Sequence, residues 1–348
     1  MRKFRKHAGV VAAALALSLV AIACGGEGDG TDGGLTGSIT ISGSSTVEPI
    51  SSVVAEIFNE ELGPDVAISV DGPGTGDGFE LFCNGETDIS DASRPIEEDE
   101  VKLCEKNGVE YTELEVALDG LTVMTSPDNA SVTCLNDGDL YALFGPESEG
   151  IDTWAGADSL ATEVGGNGGF PDAPLEITAP GAESGTYDSF LEIVTGDISE
   201  ARAESGAISE DQVETARPDY ASQADDTAII AAMEASDTPL GWVGFAFAEE
   251  AGDAIKELAV SAEPGGECIE PTSETIADGS YPISRSLYIY VNADAAEENA
   301  AVAGYVDYYL SDEGIASVAE VGYVDLPADQ LDATRATWDA RTVGSTAG

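Results

Sequence analysis

The sequence is almost without histidine. Its 348 residues contain one His, and that residue is His7, close to the amino terminus. Catalysis by a Ser–His or Cys–His pair needs an imidazole to take up a proton, and His-ligated metal centres need it as a ligand. We therefore expect no enzymatic activity, no cofactor and no metal site. A hydrolase or phosphatase that works without histidine is a remote alternative.

Basic residues are also scarce. Lys and Arg number 13 against 67 Asp and Glu, which gives a formal net charge of −54. Four of the 13 lie within the first six residues, which leaves nine for the rest of the chain. Such a surface repels polyanions, so nucleic acid is excluded as a partner. It also provides no long-range attraction for a small anion, so any anion site must depend on short-range hydrogen-bond donors.

Long hydrophobic runs are few. The apolar run over residues 10–22 is too short for a comfortable membrane span, and small residues and then Cys24 follow it. The residues before it are basic: Arg2, Lys3, Arg5 and Lys6. This pattern predicts a lipoprotein signal peptide over 1–23, lipidation at Cys24 and a flexible Gly/Asp-rich tether over 24–36. Ordinary secretion with an incidental cysteine is the alternative.

Cysteine is rare as well. Besides Cys24 the chain has four: Cys83, Cys104, Cys134 and Cys268. An even number in an exported chain indicates two disulfides, for which three connectivities are possible. A zinc site is the alternative interpretation, although no CxxC spacing occurs.

Short β-type runs alternate with stretches of helical spacing along the chain. This alternation predicts an α/β fold with mostly parallel sheets. The predicted strands lie at 38–42, 66–70, 121–124, 240–247 and 287–291, and the predicted helices lie at 49–58, from about Gly78 onward, and at 300–310.

Three turns rich in Gly, Ser and Thr each precede a helix, at residues 43–47, 72–78 and 183–186. A helix N-terminus has free backbone N–H groups, and the helix dipole favours negative charge there. Ser and Thr add hydroxyl donors, and Gly lets the backbone approach a ligand closely. One such turn is usually only a helix cap. Three together predict an oxyanion site that needs no positive net charge.

Arg94 stands within the segment DISDASRPI at residues 88–96. Its guanidinium could hold two oxygens of a tetrahedral anion. The alternative is an ion pair with the many acidic residues nearby.

These segments resemble the periplasmic phosphate-binding proteins of ABC transporters. The resemblance depends on GSSTV at 43–47, GTGDGF at 74–79, DISDASRPI at 88–96 and SGTYD at 184–188. It extends over nearly all the chain from about Gly37, including LGWVGFA at 240–246 and YPISR at 281–285. The resemblance implies a type II periplasmic-binding-protein fold, with two lobes of mixed sheets flanked by helices and the anion in the cleft between them.

The resemblance also implies how the chain divides. We expect lobe I to comprise residues 37–118 and 282–345, and lobe II residues 119–281. Of the three disulfide connectivities, Cys83–Cys104 with Cys134–Cys268 is favoured, because each bridge then stays within one expected lobe.

The implied phosphate ligands follow from matching motif positions: Ser45, Thr46, Val47, Thr75, Ser93, Arg94, Ser184, Gly185 and Thr186. Two positions depart from the family pattern. Pro180 stands where many members have an Arg, and Ser93 stands where many have the Asp that accepts the phosphate proton. We expect Arg94 to replace the missing cation, and Asp91 is the nearest candidate proton acceptor.

The resemblance thus implies a monomeric lipoprotein that captures inorganic phosphate and passes it to an ABC-type permease. It would be located in the periplasm or on the outer face of the cell membrane. Another oxyanion such as sulfate or molybdate is the main alternative, because a site lined only by donors would favour sulfate, which carries no proton at neutral pH. A structural or adhesive surface protein is a further alternative.

Overall fold

The computed structural model describes residues 34–182 and 184–345. The predicted signal peptide, Cys24 and most of the predicted tether lie outside these residues. Within the described ranges, no helix combines the length and the apolar character needed to cross a bilayer.

The described strands form a nine-stranded sheet and a two-stranded one. In the large sheet the order is β2-β1-β3-β11-β4-β8-β6-β7, with β9 also on β4, and β10 pairs with β5 in the small sheet. The strands are β1 Thr36–Gly43, β2 Asp65–Asp71, β3 Ile89–Ala92, β4 Tyr111–Thr125, β5 Cys134–Asn136, β6 Glu176–Pro180, β7 Ala221–Gln223, β8 Pro239–Gly244, β9 Lys256–Glu257, β10 Ala259–Ser261 and β11 Ser284–Asn292.

Helices flank the sheets. They are α1 Glu48–Glu61, α2 Thr75–Cys83, α3 Glu98–Asn107, α4 Asp137–Phe144, α5 Asp158–Glu163, α6 Gly185–Phe190, α7 Gly196–Ser205, α8 Asp226–Ala232, α9 Phe245–Ala251, α10 Ser273–Ala277, α11 Ala293–Glu298, α12 Ala300–Tyr309, α13 Asp312–Glu320 and α14 Ala328–Asp339. A single π-helical turn, Leu191–Thr195, joins α6 to α7.

Strand β4 belongs to both halves of the large sheet. Its first part pairs antiparallel with β11, from Tyr111 opposite Asn292 to Gly120 opposite Ser284. Its last part pairs antiparallel with β8, where Leu121 lies opposite Gly244. The pairs β1–β2, β1–β3, β6–β7 and β6–β8 are parallel, so the sheet is mixed rather than mostly parallel.

Two large apolar clusters lie on either side of this junction. One contains side chains of β1, α1 and α12, and the other contains side chains of α4, α6 and β8. In the second, Trp242 stacks on Phe190 with ring centroids 4.2 Å apart. Strand β4 contributes Leu114 to the first cluster and Val123 to the second. The lobe boundaries given above stay a prediction.

Helix α1 shows how local sequence produces these elements. Pro49 occupies its first turn, where the missing N–H costs no hydrogen bond. Ile50, Val54 and Phe58 recur at helical spacing and are fully buried. The helix therefore packs one apolar stripe against the sheet and holds its N-terminus beside the turn at 43–47.

Most predicted elements are present, and one is wrong in part. The apolar run 240–247 is not a single strand, because β8 ends at Gly244 and Phe245 begins α9. A short buried run has no period that separates a strand from a buried helix, so the sequence pattern could not decide this boundary.

Both favoured disulfides are confirmed. Cys83 and Cys104 join α2 to α3, with Cα atoms 4.2 Å apart. Cys134 and Cys268 join β5 to the segment after β10, with Cα atoms 6.0 Å apart.

Candidate functional site

A cavity of about 360 Å³ lies where the first two Gly/Ser/Thr turns face helix α6. Its lining comes from residues far apart in sequence, which the fold of the sheet brings together. The described residues that line it are Ser44, Ser45, Thr46, Gly72, Pro73, Gly74, Thr75, Gly76, Ser93, Arg94, Asp188, Glu192 and Glu214.

The first turn contributes Ser45 and Thr46 to the cavity. Its fold is fixed at Gly43, where a Cβ atom would collide with the carbonyl oxygen of Asp91. The N–H of Ser44 donates to that same oxygen at 2.8 Å. Thr46 is buried, and its own N–H donates to Ser44 Oγ at 3.2 Å. Val47 does not join the described lining, since its side chain is buried and its N–H donates to Ser44 O at 3.2 Å.

The second turn brings Thr75 and Ser93 into contact. Their hydroxyl oxygens lie 2.9 Å apart, and the Ser93 N–H donates to Thr75 Oγ1 at 3.2 Å. Both residues line the cavity. Gly74 precedes Thr75 with φ +115°, a conformation that an L side chain rarely adopts.

The third turn does not contribute the predicted donors. Ser184 caps α6 by accepting the Thr186 N–H at 3.2 Å, and Gly185 packs against the backbone of Ser45. Neither these residues nor Thr186 is among the described residues that line the cavity. The side chains that α6 and the π-helical turn direct into it are instead Asp188 and Glu192, four residues apart.

The cavity therefore has carboxyl groups beside its hydroxyls. Asp188 Oδ2 accepts a hydrogen bond from Ser45 Oγ at 2.9 Å. Burial raises the pKa of Asp188, the Ser45 bond lowers it, and the charge of Glu192 raises it. Burial, and then the charge of Glu192, raise the pKa of Glu214. Glu214 also has φ +51°, and strained backbone of this kind concentrates at functional sites.

Arg94 lines the cavity, but its guanidinium is already paired. Its two terminal nitrogens donate to the two carboxylate oxygens of Glu100, at 2.9 and 2.8 Å. Its Nε lies 3.4 Å from Glu97 Oε1. The ion pair that the sequence left as an alternative is thus present, and an anion would have to compete with Glu100 for this cation.

A second arginine, Arg285, lies beside the same site. Its side chain is 13% exposed, and its Nη2 is 3.2 Å from Thr46 Oγ1 and 3.1 Å from Ser189 Oγ. Its Nη1 is 2.6 Å from Glu192 Oε2, and its Nε is 3.5 Å from the buried Asp119 Oδ2. Arg285 in β11 and Asp119 in β4 are directly paired residues of the two strands that join the halves of the sheet.

With this geometry established, comparison with known proteins identifies the family. A profile of the PBP superfamily domain matches residues 30–313. The chain belongs to the PBP superfamily. Protein SphX of Synechocystis sp. is 36% identical over 314 residues, covering 89% of this chain and 85% of that protein. The phosphate-binding protein PstS of Staphylococcus saprophyticus is 33% identical over 314 residues, covering 90% and 88%.

Solved structures of the superfamily agree with this assignment. The crystal structure of a possible phosphate binding protein from Planctomyces limnophilus has a TM-score of 0.78 and 31% identity, covering 88% of this chain and 99% of that one. An ABC-type phosphate transport receptor from Vibrio cholerae shares the fold, with a TM-score of 0.56, 24% identity, and coverage of 83% and 100%. The predicted α/β periplasmic-binding-protein fold is confirmed.

Sequence reasoning missed Arg285, Asp188 and Glu192 in this PBP-superfamily site. Arg285 was within the YPISR segment that carried the resemblance and is one of few basic residues in the chain, which was a usable signal. Asp188 closes the SGTYD motif. Nothing local indicated Glu192, because its approach to Arg285 depends on contacts between residues 93 positions apart.

The predicted proton acceptor, Asp91, points away from the cavity. It is fully buried, and Ser51 Oγ donates to its Oδ1 at 2.9 Å. Its Oδ2 has no partner among the described residues. Ile89, two residues earlier in β3, faces the core, and side chains two apart in a strand share a face. Asp91 is therefore a core carboxyl beneath α1 and is wrong as the acceptor.

We expect Asp91→Asn to stabilise the protein increasingly as the pH rises from 4 to 7. Burial, opposed by the Ser51 bond, raises the pKa of Asp91 from 3.8 to about 7. The unfolded chain loses this proton at lower pH than the folded one, so the wild-type carboxyl weakens folding progressively between those two values. The gain should reach at least about 1 kcal/mol near pH 7.

Urea unfolding of wild type and variant at pH 4, 5, 6 and 7 measures this effect. The Asp65→Asn variant, at an exposed position, is the matched control for the Asp-to-Asn change itself. A stability difference for Asp91→Asn that is constant across the series would contradict the prediction.

Proposed function

We propose that this protein binds inorganic phosphate in the cavity between the first two turns and helix α6, and that it delivers phosphate to an ABC-type importer. The observation that supports it most directly is a set of uncharged hydroxyls, from Thr46, Thr75 and Ser93, beside the carboxyl of Asp188. The names of relatives over most of the chain, phosphate-binding proteins among them, point the same way.

The cavity carboxyl favours phosphate over sulfate. Phosphate at neutral pH keeps at least one proton and can donate it to a carboxylate, whereas sulfate has no proton to donate. Sulfate would place unprotonated oxygens against Asp188 and Glu192 and would be repelled. Asp188, in place of Asp91, is the residue that accepts the phosphate proton. The Asp188 carboxylate accepts one hydrogen bond from Ser45 and has further lone pairs free.

Calorimetric titration of the protein lacking residues 1–23 with phosphate, sulfate and molybdate tests this function. We expect phosphate to bind with a Kd of about 1 μM or tighter, which corresponds to about −8 kcal/mol. Sulfate should bind at least about a hundredfold more weakly, a difference of about 2.7 kcal/mol. Tight sulfate or molybdate binding without a phosphate signal would overturn the phosphate assignment.

The Asp188→Asn variant, titrated in the same way, should narrow the preference for phosphate over sulfate by about tenfold or more. The amide keeps an oxygen for Ser45 but removes the negative charge that repels sulfate. Asp332→Asn, at an exposed acid on α14, is the matched control and should leave the ratio unchanged. If Asp188→Asn leaves the ratio as in wild type, Asp188 does not select the anion.

We also propose where the protein is located and in which assembly state it acts. Export by the signal over residues 1–23 and acylation of Cys24 would hold the protein on the outer face of the cell membrane, with the tether reaching from the lipid to the folded part. We propose that it acts there as a monomer with lobes I and II at the boundaries given above. Ser45, Thr46, Thr75, Ser93 and Arg94 remain proposed ligands, while Val47, Ser184, Gly185 and Thr186 act by shaping the turns.

A further inference from the structure

Three polar groups meet behind the cavity wall in a closed triangle. The hydroxyl oxygens of Thr46 and Ser189 lie 2.8 Å apart, and the same nitrogen of Arg285 lies within 3.2 Å of both. Thr46 and Ser189 are 1% and 0% exposed. Of the three, Thr46 alone is among the described residues that line the cavity. Ser189 and Arg285 can therefore influence a bound anion only through Thr46 or through charge.

The number of hydrogen bonds that a hydroxyl can donate and accept limits the arrangements that are possible among Thr46, Ser189 and Arg285. A hydroxyl has one proton to donate and two positions at which to accept. Arg285 has donors only, so it fills one acceptor position on each of the two oxygens. The bond between Thr46 and Ser189 then fills the second acceptor position on one of them, and that residue has only its proton left to offer.

The direction of the bond between the two hydroxyls therefore decides what Thr46 presents to the cavity. If Ser189 donates to Thr46, the Thr46 oxygen is saturated and its proton points to the cavity. If Thr46 donates to Ser189, the Ser189 proton turns instead to the nearby Asp119. Burial raises the pKa of Asp119, and the charge of Arg285 and a hydrogen bond with Ser189 lower it. A bound anion stabilises the first direction, because only that direction supplies it with a donor.

The second turn has a similar arrangement. Thr75 Oγ1 accepts the backbone N–H of Ser93 and also meets the Ser93 hydroxyl. Each pair thus has an N–H donor that fills an acceptor position and one hydroxyl proton that is not used inside the pair. When Ser189 donates to Thr46, both pairs supply the cavity with a hydroxyl donor although the chain carries a large negative charge.

We propose that Ser189 and Arg285 are positioning residues that orient the Thr46 hydroxyl so that it donates to the bound anion. This rests on the proposed function, since it takes phosphate as the anion. Neither Ser189 nor Arg285 is among the described residues that line the cavity, so neither contacts the anion directly. Apart from the charge of Arg285, which Arg285→Lys keeps, their effect on affinity must therefore depend on the presence of the Thr46 hydroxyl.

A double-mutant cycle with Ser189→Ala and Thr46→Val tests this dependence. Phosphate affinity is measured by calorimetry for the wild type, both single variants and the double variant. Each single variant should lose about tenfold, because each removes the same oriented hydrogen bond to a charged ligand. The double variant should lose no more than Thr46→Val alone, because Ser189 has no hydroxyl left to orient.

If the fold losses of phosphate affinity of the two single variants multiply in the double variant, the inference is overturned, since Ser189 would then act independently of Thr46. An unchanged affinity in Ser189→Ala would also overturn it. Thermal unfolding of each variant excludes a folding defect, and Thr46→Ser, which keeps the hydroxyl, should retain affinity within about threefold.

Arg285→Lys provides a second, independent variant. It keeps the charge beside Asp119 but replaces the planar group that reaches both hydroxyls from one nitrogen. Arg285→Lys should lower phosphate affinity by about tenfold in the wild-type background and by much less in the Thr46→Val background. Equal losses in the two backgrounds would exclude Arg285 as a positioning residue.

The failure of this inference and the failure of the proposed function are distinguishable. If the wild type binds sulfate or molybdate and not phosphate, the proposed function is wrong, and the same cycle is run with the anion that binds. If the wild type binds phosphate and the affinity losses of the two single variants multiply in the double variant, the inference alone is wrong. If none of the three anions binds to the wild type, both are overturned.

Discussion

Arg285→Gln should lower phosphate affinity by about a hundredfold and the free energy of unfolding by about 3 kcal/mol. The affinity falls because the positive charge that contacts the cavity-lining Thr46 is lost, together with the orientation of the Thr46 hydroxyl. The stability falls because Asp119, whose side chain is 2% exposed, is left as a buried charge without its cation. Calorimetric titration and urea unfolding measure the two effects separately.

The double variant Arg285→Gln/Asp119→Asn separates the two causes. Removing both charges should restore most of the stability, because no buried charge is left unpaired, but it should not restore phosphate affinity. Recovery of affinity in the double variant would mean that Arg285 serves only to compensate Asp119.

Arg94→Gln is the matched comparison. We expect it to lose less than about tenfold in affinity, because Glu100 already occupies both terminal nitrogens of Arg94 and partly cancels its charge. A larger loss in Arg94→Gln than in Arg285→Gln would restore Arg94 as the principal cation, which is what the sequence predicted.

Removing the Cys134–Cys268 disulfide should destabilise the protein more than removing Cys83–Cys104. The bridged residues are 134 positions apart in the first case and 21 in the second. A longer closed loop removes more conformational freedom from the unfolded chain, which gives about 5 kcal/mol for the long loop and about 3 kcal/mol for the short one. Paired Cys→Ala variants compared by urea unfolding measure this difference.

A thiol reductant applied to the wild type provides the control. Full reduction should lower the stability by at least as much as the Cys134→Ala/Cys268→Ala variant does. Equal stabilities for the two paired variants would contradict the loop-length explanation. A greater loss in the Cys83→Ala/Cys104→Ala variant would indicate that packing of these two buried cysteines in their apolar cluster outweighs chain entropy.

The local parts of the site could be predicted from the amino-acid sequence. The alternation in 38–42 and the helical spacing of Ile50, Val54 and Phe58 predicted the strand, the turn and the helix that support Thr46, because these patterns depend on residues only a few positions apart. The scarcity of basic residues predicted a site built from hydroxyls. Strand periodicity would also have turned Asp91 toward the core, since it shares a face with Ile89.

Which charged groups meet the hydroxyls depends on long-range packing. Thr46 and Ser189 are 143 positions apart, and Thr46 and Arg285 are 239 apart. Their meeting depends on β4 and β11 pairing at the centre of the sheet and on the π-helical turn that directs Glu192 toward Arg285. No local pattern encodes a contact between residues so distant, because it is the packing of whole elements that places them together.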